Sequence, residues 1–330
     1  VADHHPRTAR QQCRGGCMAD AAGEPVLPSA LVQQLQLAPA QPGQAAASLG
    51  DDPRELRRLA AAPTPRPLPR GAALPVSRLS ASAYEDLRRC PYRFFALRQL
   101  GLNEAGELEA ELDKRDFGTW LHGVLSEFHR ALALQPVTGP QRLALLESAA
   151  QAQTDAMGLS DGEFLPFKAS WPQVRDGYLS WLADHEAEGL QFAEAEADRE
   201  TPLGPQTLIG RLDRIDRGRD GAAMVIDYKT EGLEVTRKRV KSGAEDTQLA
   251  FYAALLPDDT LRAAYVNVGE RGETGTVEQK DVVDIRDALL DGIRQDMQAI
   301  AGGAPLPALG EGAVCDYCAA RGLCRKDFWA

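Results

Sequence analysis

Residues 210–230 constrain the fold more than any other stretch of this chain. Apolar and polar side chains alternate on both sides of a short segment, 217–221, that contains two glycines. Because successive side chains on a strand point to opposite faces, this pattern predicts two antiparallel strands joined by a tight hairpin. The hairpin would place Asp213 of the first strand almost opposite Asp227 of the second.

The second strand of this hairpin ends in charged side chains. Alternation places Val225, Asp227 and Lys229 on one face, which we expect to carry the chemistry, and their neighbours on the other, which we expect to be core. Two carboxylates and an ammonium group suit a hard divalent cation, with the ammonium steadying a water or a phosphate oxygen. A solvated hairpin can carry similar charges, but here the acid and the lysine end a strongly apolar strand.

Asp227-Tyr228-Lys229 resembles the late motif of the PD-(D/E)XK nuclease superfamily, which is an acid, one variable residue and a lysine at the end of a strand. Residues 210–216, Gly-Arg-Leu-Asp-Arg-Ile-Asp, are similar to the preceding motif of its RecB/AddB-type branch. The resemblance implies metal-dependent hydrolysis of phosphodiester bonds. It also implies that the catalytic residues are Asp213, Asp227 and Lys229.

A helix predicted over about 114–132 has a clear apolar stripe, and His122 lies on the flank of that stripe. A single helical histidine is usually a structural residue. However, residues 117–125, Phe-Gly-Thr-Trp-Leu-His-Gly-Val-Leu, resemble the RecB-type helix motif whose histidine joins the metal shell. The resemblance implies a Mg²⁺ or Mn²⁺ site whose ligands are His122, Asp213, Asp227 and the main-chain carbonyl of Tyr228.

Three further features concern contact with nucleic acid. Gln248 and Tyr252 lie on one face of a predicted helix, and their Gln-x-x-x-Tyr spacing resembles the motif that contacts the nucleic-acid strand in the RecB-type branch. The basic segment 237–241 is either a phosphate-binding track or a solvated loop, and the sequence leaves both interpretations open. Glu196, on a predicted strand, is interpreted as a charge at the strand edge rather than as part of the site.

The order of the predicted elements gives the fold class. The helix over 114–132, three strands, a helix over 246–256 and a strand over 261–268 follow one another as αβββαβ. This is the core order of the PD-(D/E)XK superfamily, so the resemblance implies an α/β, restriction-endonuclease-like core. Helices predicted over about 140–157 and 172–188 would be insertions into that core.

Four cysteines form the remaining strong signal. Cys315, Cys318 and Cys324 have a C-x2-C-x5-C spacing, and Cys90 follows a helix that a capping box at 82–85 would begin. Four thiols suffice for a [4Fe-4S] cluster or for zinc, and paired cysteines of this spacing are commoner at zinc sites. One distant cysteine followed by a C-terminal triplet resembles the iron–sulfur arrangement of AddB-type and CRISPR-adaptation nucleases. We therefore place the cluster ahead of zinc, as a staple between the first helix and the chain's end.

Two regions differ in composition. Residues 1–76 are rich in Ala, Pro, Gln and Gly and include a proline run at 63–69, which predicts a linker or the end of a preceding domain. Residues 77–330 would form the nuclease domain. Cys13 and Cys17 lie in the first region and are interpreted as incidental thiols.

Composition limits the remaining possibilities. The formal net charge of −11 at pH 7 excludes nucleic-acid binding by the overall field, so phosphate contacts must come from local basic side chains. The sequence has no apolar run of the roughly 18 residues that a membrane span requires, and no recognisable signal peptide. We therefore expect a soluble, cytoplasmic protein that does not bind membranes.

The residues alone predict a metal site for phosphoryl-type chemistry, whereas the resemblance to RecB/AddB-type nucleases implies a DNA exonuclease domain that acts on single-stranded ends, within a helicase–nuclease of double-strand break repair and recombination. The chain begins with Val and contains no Gly-x-x-x-x-Gly-Lys-Ser/Thr motif, so we expect a fragment whose motor lies in a helicase subunit or domains outside it. One alternative is a non-catalytic DNA-binding or scaffold module with an iron–sulfur or zinc site, which the intact acids and lysine disfavour. The other is a stand-alone single-strand exonuclease.

Overall fold

The structure, a computed structural model, describes residues 18–19, 25–26, 63–103, 114–135, 137–160, 162, 164–241, 246–257 and 261–329. The chain divides into two compact units, Val1–Ala61 and Ala62–Ala330. In the first unit, the described residues form two short antiparallel strands, β1 (Met18–Ala19) and β2 (Pro25–Val26). Cys13 and Cys17 lie outside the described residues.

The second unit has the predicted order of elements. Its described strands are β3 (Arg78–Leu79), β4 (Gln191–Leu203), β5 (Gln206–Arg217), β6 (Ala223–Lys229), β7 (Arg262–Val268) and β8 (Thr274–Glu278). Its described α-helices are α1 (Ala81–Arg89), α2 (Pro91–Phe94), α3 (Lys114–Leu134), α4 (Pro140–Ala156), α5 (Leu165–Ala187), α6 (Leu233–Lys241), α7 (Gln248–Ala253), α8 (Val282–Ala301) and α9 (Arg321–Cys324). A π-helical turn spans Phe95–Gln99, and 3₁₀ turns span Ala313–Cys315 and Lys326–Phe328. The series α3, β4, β5, β6, α7, β7 confirms the predicted αβββαβ core.

The strands form one mixed sheet in the order β3-β5-β6-β7-β8, with β4 paired to β5. The β4–β5 and β5–β6 pairs are antiparallel, as hairpins require, whereas β6 and β7 are parallel. A parallel pair needs a crossover connection, and α6 and α7 supply it between these two strands. Strand β6 therefore lies in the interior of the sheet, and only its last residue, Lys229, is not buried.

Helices cover both faces of this sheet. One apolar cluster contains residues of α1, α7 and α8, and the other contains residues of α3, α4 and α5. Val225 belongs to the first cluster, and Met224, Ile226 and Tyr228 belong to the second. The prediction that one face of β6 carries the chemistry is therefore wrong for most of the strand. A central strand covered on both faces has two core faces, and its chemistry is confined to its end.

The sequence predicted two helices correctly, but the residues at which they begin differ from the prediction. Helix α1 begins two residues earlier than the predicted capping box at 82–85 requires, because the Oγ of Ser80, not of Ser82, is the N-cap and accepts the Ala83 N–H at 3.2 Å. Helix α5 begins at Leu165 and contains Pro172, which was expected to start it. Proline is unfavourable inside a helix because it lacks the N–H of the bond to residue i−4, and here tertiary packing outweighs that propensity.

The proline run contacts the end of the chain. The Thr64 N–H donates to the Phe328 carbonyl at 2.7 Å, and the Leu306 N–H donates to the Pro69 carbonyl at 2.8 Å. Prolines lack an N–H but keep their carbonyls, so this segment can accept hydrogen bonds along one edge. Residues 63–69, assigned to a linker on composition, are thus hydrogen-bonded within the second unit.

Among the described helices, none combines the length and apolar character needed to cross a bilayer.

Candidate active site

The two acids of the hairpin lie where its strands separate. The β5–β6 ladder ends at the pair formed by Arg214 and Ile226, and the next residues on the two strands are Asp213 and Asp227. The Oδ2 of Asp213 accepts the backbone N–H of Tyr228 at 2.9 Å. A side-chain oxygen, rather than a backbone carbonyl, is therefore the acceptor at this point of the sheet.

Asp227 is only 2% exposed and is held by two side chains. The ammonium of Lys229 lies 2.6 Å from its Oδ2, and the amide of Gln248 donates to its Oδ1 at 2.8 Å. Lys229 also donates to the Oε1 of Gln248 at 3.0 Å, which closes a triangle of acid, lysine and amide. Burial, followed by the negative charge of Asp213, raises the pKa of Asp227 to about 7 against the opposing effect of Lys229.

His122 extends from α3 toward the same strands. Its Nε2 lies 3.1 Å from the carbonyl oxygen of Tyr228, and its Nδ1 lies 3.4 Å from the Oδ2 of Asp213. Burial lowers the pKa of His122, but hydrogen bonding to Asp213 and the nearby carboxylate charges outweigh it, so that this pKa is raised overall. The structure thus brings together His122, Asp213 and the Tyr228 carbonyl. Asp227 lies beside them and is paired with Lys229.

Glu196 belongs to this site, contrary to its interpretation as a strand-edge charge. Ligand atoms of His122, Glu196 and Asp213 all lie within 4.8 Å of one another. Burial, with a contribution from the charge of Asp213, raises the pKa of Glu196. Its position follows from the β4–β5 register, which no local sequence pattern predicted: Ala195 pairs with Arg214 and Ala197 with Leu212, so Glu196 falls opposite Asp213. We name these side chains the active-site cluster: His122, Glu196, Asp213, Asp227 and Lys229.

Two grooves lie near the active-site cluster, and most of its members line the first of them. The first groove is bordered by α3, α4 and the β4–β5 pair, and it is lined by the side chains of His122, Glu196 and Lys229. The second groove, bordered by α1 and α7, is lined by Gln248 and Tyr252 among others. Arg211 borders both grooves.

Residues 78–325 match the sequence model of the PD-(D/E)XK nuclease superfamily. The chain belongs to this superfamily. Over 174 residues it is 26% identical to an uncharacterized protein of Rickettsia felis, a match that covers 50% of this chain and 20% of that relative. The crystal structure of a candidate exonuclease from Eubacterium rectale is 7% identical, with a TM-score of 0.40, and the match covers 73% of this chain and 88% of that one. Superfamily membership supports a hydrolase that acts on nucleic acid.

A second polar cluster of this nuclease-superfamily chain lies in the protein interior, next to the active-site cluster. We name it the buried network, and its members are His129, Tyr178, His185, Arg214, Asp216 and Tyr228. The Arg214 guanidinium donates to both carboxylate oxygens of Asp216, at 2.6 and 2.8 Å, and to the Nε2 of His129 at 2.8 Å. The hydroxyls of Tyr178 and Tyr228 lie 2.8 Å apart. The sequence motif at 210–216 contained two of these residues without revealing their role.

The four predicted cluster cysteines line one cavity. Cys90, Cys315, Cys318 and Cys324 meet there, although they come from the two ends of the second unit. The backbone N–H of Leu309 donates to the Sγ of Cys90 at 3.5 Å. Among the described residues, no three of these sulfur atoms lie within 4.8 Å of one another. Sulfurs around a single zinc ion, each about 2.3 Å from the metal, would be closer together.

The basic segment 237–241 forms the end of α6 rather than a loop. Arg237 pairs with Glu234 at 2.5 Å, and Arg239 pairs with Glu231 at 2.8 Å and with Asp246 at 3.4 Å. These ion pairs neutralise much of the local charge. Gln248, which is predicted to contact nucleic acid, hydrogen-bonds to both Asp227 and Lys229 and donates to the Tyr252 hydroxyl at 3.1 Å.

Proposed function

We propose that this chain is a divalent-metal-dependent DNA exonuclease, serving as the nuclease domain of a helicase–nuclease in double-strand break repair and recombination. The observation that carries the nuclease proposal is the convergence of Asp213, Asp227 and Lys229 beside the first groove, in a chain of a nuclease superfamily. The repair role and the helicase partner are supported by the motifs at 117–125 and 210–216, which resemble those of RecB/AddB-type nucleases.

The donor set fits a divalent cation. Asp213, Asp227, the main-chain carbonyl of Tyr228 and His122 would hold Mg²⁺ or Mn²⁺ through oxygen atoms and one imidazole nitrogen. The bound ion would polarise the scissile phosphodiester and lower the pKa of an attacking water. Three carboxylates face only one permanent cation within the active-site cluster, Lys229, so the electrostatic balance favours binding of additional positive charge.

Lys229 is the residue placed to act on the reacting groups. Its ammonium borders the first groove, where it would orient the attacking water and offset negative charge that develops on the phosphate. Gln248 would keep Lys229 and Asp227 in fixed relation before substrate binds, because it hydrogen-bonds to both. Tyr252 lines the second groove, where an aromatic ring can contact the bases of a single strand.

Local charge supports DNA as the ligand of the grooves. Despite the net charge of −11, the first groove is lined by Lys114, Arg115, Arg130 and Arg211. Basic side chains along a groove can track a phosphate backbone, and a single strand presents each phosphate separately. These residues, rather than segment 237–241, are our proposed phosphate track.

Cleavage assays on the full chain test this function. Asp227→Asn and Lys229→Met should each slow Mg²⁺- or Mn²⁺-dependent cleavage of end-labelled single-stranded DNA by on the order of a thousandfold, because each group acts on the transition state. Only Asp227→Asn should weaken metal binding, since an ammonium cannot be a ligand. Asp291→Asn, an exposed change on α8, is the matched control and should cleave like wild type.

Comparing linear with circular strands tests exonuclease activity, and comparing DNA with RNA tests specificity for DNA. An exonuclease should degrade linear strands and leave a circular single strand intact, and a deoxyribonuclease should leave RNA of the same sequence intact. Wild-type rates in both variants would contradict the residue assignment. Failure of the wild-type protein to cleave any DNA with either metal would favour the non-catalytic binding module instead.

The cysteine cavity is the second part of the proposal, and its occupant would be a [4Fe-4S] cluster. The support is chemical: four thiols border one cavity, and a backbone N–H donates to one of the sulfurs, as is common around iron–sulfur clusters. Cys90 precedes α2 and the other three thiols lie near the chain's end. A cluster would therefore join segments that are distant in sequence and add its binding energy to folding.

Metal analysis tests the cluster. Protein purified without oxygen should be brown and contain about four irons per chain. Cys318→Ser should lose colour and melt at a lower temperature, whereas Cys13→Ser and Cys17→Ser should match wild type. A colourless anaerobic preparation that contains one zinc per chain would overturn this assignment and leave the nuclease proposal intact.

A further inference from the structure

We infer that Tyr265 of β7 is a positioning residue, whose ring and hydroxyl together hold the ammonium of Lys229 in place. The inference rests on the proposed function, because Lys229 is the group proposed to orient the attacking water. Tyr265 is 0% exposed and lies in an apolar cluster, so it acts through Lys229 and not on the substrate itself. The motifs that resemble those of the superfamily do not include it.

The ring of Tyr265 contacts Lys229 directly. In the parallel β6–β7 register Tyr265 pairs with Asp227, so it lies next to the end of β6. The Lys229 ammonium lies over the ring, 5.2 Å from its centroid, within the roughly 6 Å over which an aromatic face attracts a cation. This attraction is stronger for a cation withdrawn from water, and the Lys229 side chain is only 21% exposed. The ring thus adds a third contact to those that Asp227 and Gln248 make with this ammonium.

The hydroxyl of Tyr265 is connected to the same lysine through Asp246. It donates to the Oδ1 of Asp246 at 2.8 Å, and that oxygen also accepts the backbone N–H of Gln248 at 3.0 Å. Gln248 is the first residue of α7, so these bonds fix the start of the helix whose amide holds Lys229 and Asp227. Burial, followed by the charges of Asp246 and Asp227, raises the pKa of Tyr265, so its hydroxyl stays protonated and remains the donor.

Tyr84 belongs to the same apolar cluster and shows a tyrosine without this role. It is also buried, and its hydroxyl donates to the Oδ2 of Asp296 at 2.9 Å. This bond joins α1 to α8, and neither helix carries a member of the active-site cluster. The two tyrosines therefore match in burial and in the kind of bond that their hydroxyls make. They differ in that Tyr265 contacts Lys229, so Tyr84 is the matched control.

Cleavage kinetics on the full chain, prepared without oxygen, are the first test. Tyr265→Leu should lower kcat on single-stranded DNA by on the order of tenfold to a hundredfold and change KM by less than about threefold, because a displaced lysine weakens transition-state stabilisation and not substrate binding. Tyr265→Phe keeps the ring, so it should recover most of the lost kcat. Tyr84→Leu and Tyr84→Phe should keep the wild-type kcat at temperatures where all the variants are folded.

Competitive labelling, without DNA or added metal, gives a readout that does not depend on cleavage. Acetic anhydride in limiting amount acetylates lysine amines, more slowly where an amine is shielded or held by neighbouring groups. Mass spectrometry compares Lys229 with the exposed Lys280 of the same chain. In Tyr265→Leu the ratio of Lys229 to Lys280 labelling should rise by about threefold or more, because the ammonium loses its aromatic contact. Tyr84→Leu should keep the wild-type ratio.

Equal kcat and equal labelling ratios in Tyr265→Leu and Tyr84→Leu would overturn the inference and leave the nuclease proposal intact. A loss of kcat as large in Tyr265→Phe as in Tyr265→Leu would also overturn it, because the ring would then contribute nothing. If Tyr265→Leu does not fold, the two Phe variants decide: a lower kcat in Tyr265→Phe alone supports the inference, and equal values refute it. A labelling contrast without cleavage by any form, wild type included, would support the placement of Lys229 by Tyr265 and refute the nuclease function.

Discussion

Asp213 and Arg214 are consecutive residues of β5, yet they belong to clusters of opposite character. Arg214, in the buried network, is 1% exposed, and its partner Asp216 is 0% exposed. Their charges balance, and the guanidinium also stacks near the rings of Trp181 and Phe192. Asp213, in the active-site cluster, lies beside the carboxylates of Glu196 and Asp227 and lines the first groove.

The difference lies in how each cluster satisfies its charges. The buried network pairs nearly every polar atom internally, with His129 Nδ1 the exception among the described atoms of its members. Such a network costs desolvation energy and fixes one arrangement of its side chains. The active-site cluster keeps excess negative charge near solvent and therefore has unused capacity for a ligand. The face of β5 that carries Arg214 thus contributes to rigidity, and the face that carries Asp213 contributes to ligand binding.

Tyr228 connects the two clusters. Its hydroxyl belongs to the buried network, whereas its backbone N–H and carbonyl contact Asp213 and His122. Fixing the side chain therefore fixes the peptide groups that complete the active-site cluster. The following predictions test how separate the two clusters are.

The largest effects should come from substituting, one at a time, the two neighbouring residues of β5 that belong to different clusters, Asp213 and Arg214. Asp213→Asn should reduce cleavage by on the order of a thousandfold and leave the free energy of unfolding close to wild type, because a like charge is removed. Arg214→Met should lower the free energy of unfolding by about 3–5 kcal/mol, because Asp216 is left buried without its partner. Urea denaturation and cleavage rates on both variants measure the contrast. Equal loss of stability in the two variants would contradict it.

Tyr228→Phe should have an intermediate effect. It removes the hydroxyl that lies 2.8 Å from Tyr178 and 3.3 Å from Arg214, but it keeps the backbone groups. We expect a loss of about 1–3 kcal/mol in the free energy of unfolding, with cleavage within a few-fold of wild type at temperatures where the fold is intact. A large loss of cleavage at unchanged stability would show that the hydroxyl itself acts on the site.

His129→Gln should change how stability depends on pH. Burial, then the charges of Arg214, Arg142 and His185, holds the pKa of His129 well below its ordinary value. Below the ordinary histidine pKa of about 6.5, the unfolded chain therefore binds a proton that the folded chain does not, and this group destabilises the fold as pH falls. The variant should lose that slope, at most about 1.4 kcal/mol per pH unit between pH 7 and 5.

The comparison needed for this prediction is the difference between variant and wild type, since other groups titrate in the same window. The raised pKa of His122 gives the opposite slope, because the folded state gains that proton first. Both proteins share this contribution, so it cancels. Parallel stability curves for the two proteins would show that His129 does not remain neutral in the fold.

The smallest effect should come from an ion pair on the surface. Arg237 pairs with Glu234, and the two side chains are 51% and 73% exposed. Arg237→Ala should change the free energy of unfolding by less than about 0.5 kcal/mol and should leave DNA affinity in a salt titration unchanged. Arg130→Ala, on the first groove, should reduce that affinity. The reverse ranking would assign the phosphate track to segment 237–241.

Much of the fold was predictable from local patterns. Alternation around 217–221 gave the β5–β6 hairpin, and the apolar stripe beside His122 gave α3, because both depend on residues close in sequence. Strand β3, two residues long, and the start of α5 were missed, because their stability comes from packing rather than propensity. The same limit applies to Val225, whose burial depends on α7 and α8 rather than on its strand.

For the candidate active site, residue spacing was enough to predict an acid, a second acid and a lysine at the ends of two paired strands. The other side chains of the site could not be predicted in this way, because they come from distant segments. Glu196 enters through the β4–β5 register, and Gln248 turns toward Asp227 through the packing of α7. Local spacing fixes which face a side chain occupies, whereas partners from distant segments are fixed by how helices and strands pack, which no short pattern encodes.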